Sequence, residues 1–270
     1  MQDQNQMMPT FALLKPLRIT STWYFIVAFF CLTFGKATAQ NDTENQFSNE
    51  FQYNTTIGKK SSLEIDFGQG FTSGTIETNP FYKNSQLYLR GWLHYYSSKK
   101  WKVSGFGGYY FNRDVPEIAQ NRVPEVRFAL QGIYYFLKGD HTLTNRVRLE
   151  NRLFLKDSLE IVFRLRNAIK YVFPIAKSKS GSGYSYGIIS EEVFFKTSGN
   201  VTGRQFFDRN RISLGFGYSF SDSIQLELVY QNEYLPRKNV DQMFNVISTT
   251  IVFNDLISKL RKRNGSLPKY

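Results

Sequence analysis

Apolar and polar residues alternate one by one through most of this sequence, and this pattern limits what the chain can fold into. In segment 146–150, for example, Val147 and Leu149 alternate with two arginines and Glu150. Successive side chains of a β-strand point to opposite faces, whereas a helix needs apolar positions three or four residues apart. We therefore predict an all-β chain with eleven strand segments, near residues 47–57, 62–72, 84–97, 101–111, 125–138, 141–155, 159–174, 184–196, 207–220, 224–235 and 242–253.

The predicted strands are long, and the connections between them differ in length. Many segments exceed the usual length of about 5–6 residues and match the roughly 9–11 residues of a tilted strand that crosses a bilayer. Short polar turns alternate with longer segments, except that the turn at 156–158 and the segment at 175–183 are exchanged. Aromatic residues, 17% of the chain, cluster near strand ends, as in the interfacial girdles of membrane barrels. These features predict a transmembrane antiparallel up-and-down β-barrel of about 10–12 strands.

The strand count has to be reconciled with the even number of strands in single-chain bacterial barrels. Residues 41–50 either add a short twelfth strand, which we favour, or the first segment lies in the lumen and leaves ten strands. Alternation alone does not say which face is outside. A soluble barrel buries its apolar face, so a soluble periplasmic lipid carrier is an alternative reading of the same pattern.

Charged residues set the orientation of the strands in a membrane barrel. Each arginine on the lipid-facing side at mid-membrane would cost about 2–4 kcal/mol, and two successive predicted strands carry several of them on one face. That face must therefore point inward. The residues predicted to face the lumen are Arg90, Arg127, Arg146, Arg148, Glu150, Arg152, Arg164, Arg166, Arg209, Arg211, Glu227 and Glu233. The predicted lumen is narrow and positively biased.

The first 39 residues have the order of a secretory signal peptide. Basic residues precede an apolar run at 23–34, which is short for a membrane-spanning helix, and a small-x-small site ends at Ala39. We expect cleavage between Ala39 and Gln40, which removes Cys31, the only cysteine of the chain. The barrel then occupies residues 40–254, and a basic periplasmic tail follows at 255–270.

Five stretches of the sequence carry a resemblance to a known family. They are Arg146-Val-Arg-Leu-Glu-Asn-Arg152, Phe163-Arg-Leu-Arg166, Glu191-Glu-Val-Phe-Phe195, Arg209-Asn-Arg-Ile-Ser-Leu-Gly-Phe-Gly-Tyr218 and Leu226-Glu-Leu-Val-Tyr-Gln231. In this order, over most of the mature chain, the sequence resembles an uncharacterised outer-membrane β-barrel family of Gram-negative bacteria, the domain of unknown function 2490 type. The resemblance implies the fold and an outer-membrane location. It brings no catalytic residues, because that family has no established activity.

The residues with chemical potential are few. One cysteine and two histidines offer little for a metal site, and we expect no metal and no cofactor. His94 is the best candidate for a catalytic base, and the pair His94 and Ser97 is similar to the histidine–serine pairing of outer-membrane lipid hydrolases and deacylases. Residues three apart on a strand point to opposite faces, so Ser97 reaches His94 only if the turn bends back. Four charged residues of the longest connection are open to two readings, a ligand contact or ordinary loop solvation; they are Arg113, Asp114, Glu117 and Arg122.

The sequence thus predicts a protein of the outer membrane that acts as a passive channel or a structural component. A barrel hydrolase that uses His94 and a soluble lipid carrier are the alternatives. The expected partners are outer-membrane lipid and the barrel-assembly machinery. We expect a monomer and no binding of nucleic acid.

Overall fold

The computed structural model describes residues 42–74, 77–118, 122–155, 158–177, 183–238 and 240–256. The strands are β1 (Asp42–Gly58), β2 (Ser61–Thr72), β3 (Lys83–Tyr96), β4 (Trp101–Asn112), β5 (Glu125–Leu137), β6 (Thr142–Leu155), β7 (Leu159–Lys177), β8 (Tyr184–Lys196), β9 (Phe207–Ser221), β10 (Ile224–Leu235) and β11 (Gln242–Asn254). A short 3₁₀ helix, Pro116–Ile118, lies between β4 and β5. The predicted leader, its cleavage site between Ala39 and Gln40, and the tail beyond residue 256 lie outside the described residues.

The eleven strands form a closed barrel in which each strand pairs with its neighbours along the chain. These pairs are antiparallel, so the predicted all-β up-and-down barrel is confirmed. The barrel closes through a parallel pair between β1 and β11, which runs from Asp42 opposite Gln242 to Asn54 opposite Asn254. Both predictions of an even strand number are wrong, since the first predicted segment, 47–57, lies in the barrel wall and residues 42–50 do not form a separate strand. They are the first half of β1, and a parallel seam permits an odd number.

Side chains fasten this parallel seam where the two strands end. Asn54 donates a hydrogen bond from Nδ2 to Asn254 Oδ1 at 3.0 Å. Just beyond β11, the Asp255 carboxylate accepts hydrogen bonds from the Thr56 backbone N–H at 2.7 Å and from the Thr56 hydroxyl at 3.0 Å. A parallel ladder is slightly less stable per residue than an antiparallel one. The side-chain bonds therefore add support at the pair that closes the barrel.

Along each strand, exposed apolar side chains alternate with buried polar ones. On β5, Leu130 is 67% exposed while its neighbour Gln131 is 7% exposed. On β6, Leu149 is 59% exposed while Arg152, on the opposite face, is 2% exposed. A soluble barrel would have the reverse arrangement, with apolar side chains inside and polar ones in water. An apolar outer wall is typical of a membrane barrel. Within the described ranges, no helix is long and apolar enough to cross a membrane.

The barrel has two distinguishable ends. We call the end where β1 leads into β2 the turn end, and the end where β2 leads into β3 the loop end. The connections at the turn end are shorter, apart from the exchange of β6–β7 and β7–β8 that the sequence already indicates. Aromatic rings contact one another at both ends, which gives two girdles. The turn-end girdle contains Trp101, Tyr134, Phe136, Tyr171, Phe173, Tyr218 and Phe220. The loop-end girdle contains Phe47, Phe71, Phe81, Phe195 and Phe206.

Candidate functional site

The residues that the sequence predicted for the lumen lie inside the barrel. Those that line the interior cavity are Arg90, Arg127, Arg146, Arg148, Arg164, Arg166, Arg209, Arg211, Glu227 and Glu233. Glu150 and Arg152 are buried beside them, each 2% exposed. Strand alternation brings them together, because each of them occupies a position on the inner face of its strand.

Arginine and glutamate side chains form a continuous network across β6, β7 and β8. Glu150 accepts hydrogen bonds from Arg164 Nε at 2.7 Å and from Arg166 Nη1 at 2.7 Å. Glu192 accepts hydrogen bonds from Arg166 Nε at 2.8 Å and Nη2 at 2.9 Å, and it also pairs with Arg146. Buried charges are costly unless they are paired and hydrogen-bonded. Here the carboxylates bridge neighbouring arginines, so the network compensates its own desolvation.

The ring of Phe194 lies at the centre of this network. The guanidinium carbons of Arg164, Arg166, Arg209 and Arg211 are 5.4, 4.5, 5.3 and 5.0 Å from its centroid. The ring is 1% exposed. An aromatic face attracts guanidinium groups and supplies a surface against which their planes can pack. Phe194 thereby holds arginines of two strands in fixed positions around one point.

Glu117 belongs to the 3₁₀ helix between β4 and β5, but its side chain reaches into the barrel. Its Oε1 accepts a hydrogen bond from Arg164 Nη1 at 3.2 Å and pairs with Arg209 Nη2 at 2.7 Å and with Arg152. Burial alone would raise the pKa of this carboxyl, but Arg209, Arg152 and Arg164 hold the pKa well below its ordinary value of 4.5. Glu117 is therefore ionised at neutral pH. Ordinary loop solvation, one of the two sequence readings, is wrong for this residue.

Apolar contacts dock the described residues of the connection that carries Glu117, which are 113–118 and 122–124 and which we call the plug segment. Its residues Ile118 and Val123 are 0% and 3% exposed, and they pack in one cluster with Phe154, Val162 and Val201. Asn112 Nδ2, at the end of β4, donates a hydrogen bond to the Val123 carbonyl at 2.9 Å. The described part of the segment thus folds inward and covers part of the loop end.

Sequence reasoning did not place several carboxylates inside the barrel. They are Glu44, Glu50, Glu117, Glu125, Glu192 and Asp208, each buried or paired with an interior arginine. Strand phase is a signal that finds Glu125, since it is two residues from Arg127 on the same strand. The plug segment has no period and gives no such signal for Glu117. These additional carboxylates largely cancel the positive bias that the sequence predicted for the lumen.

A cavity of about 670 Å³ lies inside the barrel next to the network. Its lining extends from Gln46 and Pro116 near the loop end to Lys102 and Lys170 nearer the turn end. Neither lysine forms a salt bridge with another residue that the structure describes, whereas carboxylates of this region already bind His94 and arginines. The two lysines are therefore cations of the cavity lining that have no salt-bridge partner in the described residues.

His94 is buried on the inner wall of β3, and its serine partner is not the one considered from the sequence. His94 Nδ1 lies 2.7 Å from Ser104 Oγ, and His94 Nε2 lies 3.0 Å from Glu64 Oε2. Ser97 instead donates a hydrogen bond to the Trp101 carbonyl at 3.4 Å. The idea that Ser97 meets His94 is wrong, because Ser97 lies in the turn after β3 and makes its hydrogen bond there.

In the described ranges, no three His, Cys, Asp or Glu side chains are arranged to hold a metal ion.

No curated protein matches the chain. A solved structure, the β domain of the Bordetella autotransporter BrkA, aligns at 10% identity with a TM-score of 0.45 and covers 70% of this chain and 81% of that one.

The family comparison is more extensive. The model of the family described as "Protein of unknown function (DUF2490)" matches residues 45–244. This range takes in every one of the five stretches on which the sequence resemblance rested. The resemblance is confirmed, and the chain belongs to the DUF2490 family.

Proposed function

We propose that this protein is an outer-membrane β-barrel through which small anions cross by a narrow passage that the plug segment closes at rest. The observation that carries the proposal is the interior cavity with Lys102 and Lys170 in its lining. The apolar outer wall supports a membrane location, because so many exposed leucine and phenylalanine side chains would cause aggregation in water. Antiparallel strands with longer connections at one end are typical of outer-membrane barrels.

The volume of the cavity favours ions and water over larger solutes. If about 670 Å³ is distributed over an apolar band about 25 Å tall, the mean cross-section is about 27 Å². Such a passage is narrow and suits water and small ions. The protein would therefore conduct weakly compared with a general porin.

The uneven pairing of interior charges favours anions. The arginines of β6 to β9 are matched by carboxylates and contribute little net field. Lys102 and Lys170 have no salt-bridge partner in the described residues, so a mobile anion is attracted to them. Lysine and arginine side chains that line a pore favour anions.

Planar-bilayer recording tests this function. The folded protein should conduct, with a reversal potential in a salt gradient that indicates anion preference and a preference that weakens as salt screens the wall. A variant with Lys102→Glu and Lys170→Glu should move the reversal potential toward cations. The matched control is Lys59→Glu with Lys99→Glu, which reverses two exposed lysines at the turn end.

The result that overturns the proposal is equally direct. If neither the parent protein nor a variant with a released plug segment conducts, the barrel has a structural role. If the protein conducts but the interior and control variants shift the reversal potential equally, the two lysines do not line the conducting path.

A second candidate, a hydrolase, is favoured by one observation, the chain of contacts from Ser104 through His94 to Glu64. A serine nucleophile needs a base within hydrogen-bond reach and a third group that orients the base. Ser104 is 2% exposed, however, and is not part of the cavity lining. Labelling by a fluorophosphonate that Ser104→Ala abolishes would establish this activity, and an unlabelled folded protein would exclude it.

The arrangement of the walls disfavours a soluble lipid carrier. Such a carrier needs an apolar cavity inside and a polar surface outside. The described strands show charged side chains inside and apolar ones outside.

A further inference from the structure

The outer wall of the barrel is apolar on one side but carries a line of polar side chains on the other. Paired residues of successive strands form one row, which is Trp101, Tyr134, Asn145, Ile169, Glu191, Ile212, Asn232, Asn245 and Asn45. Because the strands are tilted, this row climbs from Trp101 at the turn end to Asn45 near the loop end. We call Asn145, Asn167, Glu191, Asn210, Asn232, Asn245 and Asn45 the polar stripe.

Glu191 lies at mid-depth in the apolar band. On β8, the ring of Phe173 in the turn-end girdle covers Gly187, four residues before Glu191. Phe195 of the loop-end girdle follows four residues after it. At about 3.3 Å per residue and a tilt near 40°, Glu191 is about 10 Å from either girdle along the barrel axis.

Hydrogen bonds join members of the polar stripe to one another. Asn210 Nδ2 donates to Glu191 Oε1 at 2.9 Å, and Glu191 is 5% exposed. Asn145 and Asn167 exchange hydrogen bonds at 3.3 and 3.4 Å. Glu191 faces away from the interior, because its neighbour Glu192 is the residue that contacts the interior arginines. Between the girdles, no lysine or arginine of the described strands occupies an outer-wall position.

We infer that the polar stripe is the contact surface through which two copies of this chain associate in the membrane. Lipid tails offer no hydrogen bonds, so the stripe residues near the depth of Glu191, which are Asn167 and Asn210, are stabilised by a further polar partner. An amide side chain carries both donors and an acceptor. A surface built from asparagines is therefore complementary to itself, as a two-fold dimer requires. Asn210, which contacts Glu191, would exchange hydrogen bonds with the same amide of the second copy close to the two-fold axis.

The opposite wall supplies the comparison that makes this stripe distinctive. There the outward residues of β2 to β5 at similar depth include Phe67, Leu89 and Leu130, which are 49%, 56% and 67% exposed. Such apolar side chains need no partner other than lipid tails. The side that spans β6 to β1 carries a row of amide side chains and Glu191, whereas the outward polar groups of the β2 to β5 wall are few, such as Gln69 and the Tyr109 hydroxyl.

Cysteine cross-linking in membranes tests the inference. Asn145→Cys, Asn210→Cys and Ile212→Cys are made singly in a Cys31→Ser background, so each chain has one thiol. Disulfides form only where Cα atoms approach within about 7 Å, and at least one stripe position should give a cross-linked dimer under mild oxidation. The control Leu89→Cys, on the opposite wall, should remain monomeric.

A loss-of-contact variant provides the second measurement. Asn145→Leu with Asn167→Leu and Asn210→Leu should leave a folded, heat-modifiable barrel and raise the dimer dissociation constant in detergent about tenfold or more. Native mass spectrometry measures this ratio. The inference is overturned if the parent is monomeric at all protein-to-detergent ratios, if the leucine variant dimerises as strongly as the parent, or if Leu89→Cys cross-links as well as the stripe positions.

Discussion

Replacement of Glu117 by glutamine tests whether the plug segment closes the interior passage. The substitution keeps the size of the side chain and removes the charge that meets Arg152, Arg164 and Arg209. Removal of one partner of a buried ion pair typically costs about 3–5 kcal/mol. Each of the three arginines keeps a second carboxylate, so the cost lies near the lower value.

This loss acts on the docking of the plug segment, because the three arginines stay in their own network. About 3 kcal/mol corresponds to roughly a hundredfold change in the ratio of docked to released segment, at 1.4 kcal/mol for each factor of ten. In single-channel recordings, the open fraction of Glu117→Gln should therefore exceed that of the parent by about two orders of magnitude. The conductance of one open channel should change little.

The control is Asp114→Asn, which removes a carboxylate from the same segment at a residue for which the described structure shows no salt bridge. This variant should keep the open fraction of the parent. The reasoning fails if Glu117→Gln conducts as rarely as the parent although it folds, or if Asp114→Asn opens the channel to the same degree. In the first case the segment is not the barrier, and in the second its overall charge matters more than the contacts of Glu117.

Three further results are expected. The pKa of Glu117 is held well below 4.5, so the ionised carboxylate stabilises the docked segment fully above that pH. This stabilisation is lost as the pH falls through the lowered pKa. The open fraction should therefore be constant from about pH 7 to 5 and rise only in stronger acid. Asp255→Ala removes the hydrogen bonds that fasten β11 to β1 and should lower the unfolding free energy by about 1–3 kcal/mol, measured as an earlier loss of the heat-modifiable gel band. Gly187→Ala places a methyl group against the Phe173 ring and should cost about 1–3 kcal/mol in the same assay, whereas Gly91→Ala, with open space around it, should not.

The alternation of residues predicted the strands well because the physical cause is local. In a membrane barrel, each strand residue faces either lipid or the interior. The apolar Leu149 faces outward and the charged Arg148 faces inward, so the residue type indicates the face. The same phase assigned the inner wall residue by residue. Glu125 and Glu192 occupy inward positions of their strands but were not assigned to the lumen, so the count of interior charges was incomplete.

The features that escaped prediction depend on distant parts of the chain. The parallel seam joins Asn54 to Asn254, and neither strand contains a sequence signal for pairing with a strand two hundred residues away. The plug segment has no period, and its position depends on Glu117 meeting arginines from three strands. Ser104 was also missed, because strand pairing rather than sequence proximity brings it to His94.

Because the number of strands is odd, the first and last strands of the barrel begin and end at opposite ends. The chain enters β1 at Asp42 at the loop end and leaves β11 at Asn254 at the turn end, so in a barrel that spans the membrane as proposed these points lie on opposite sides. An epitope placed just before Asp42 and another just after Asn254 would lie in different compartments, and an antibody added to intact cells should bind only one of them. A circular permutation that joins these two points could not use a short linker, because the new connection would have to cross the full thickness of the bilayer.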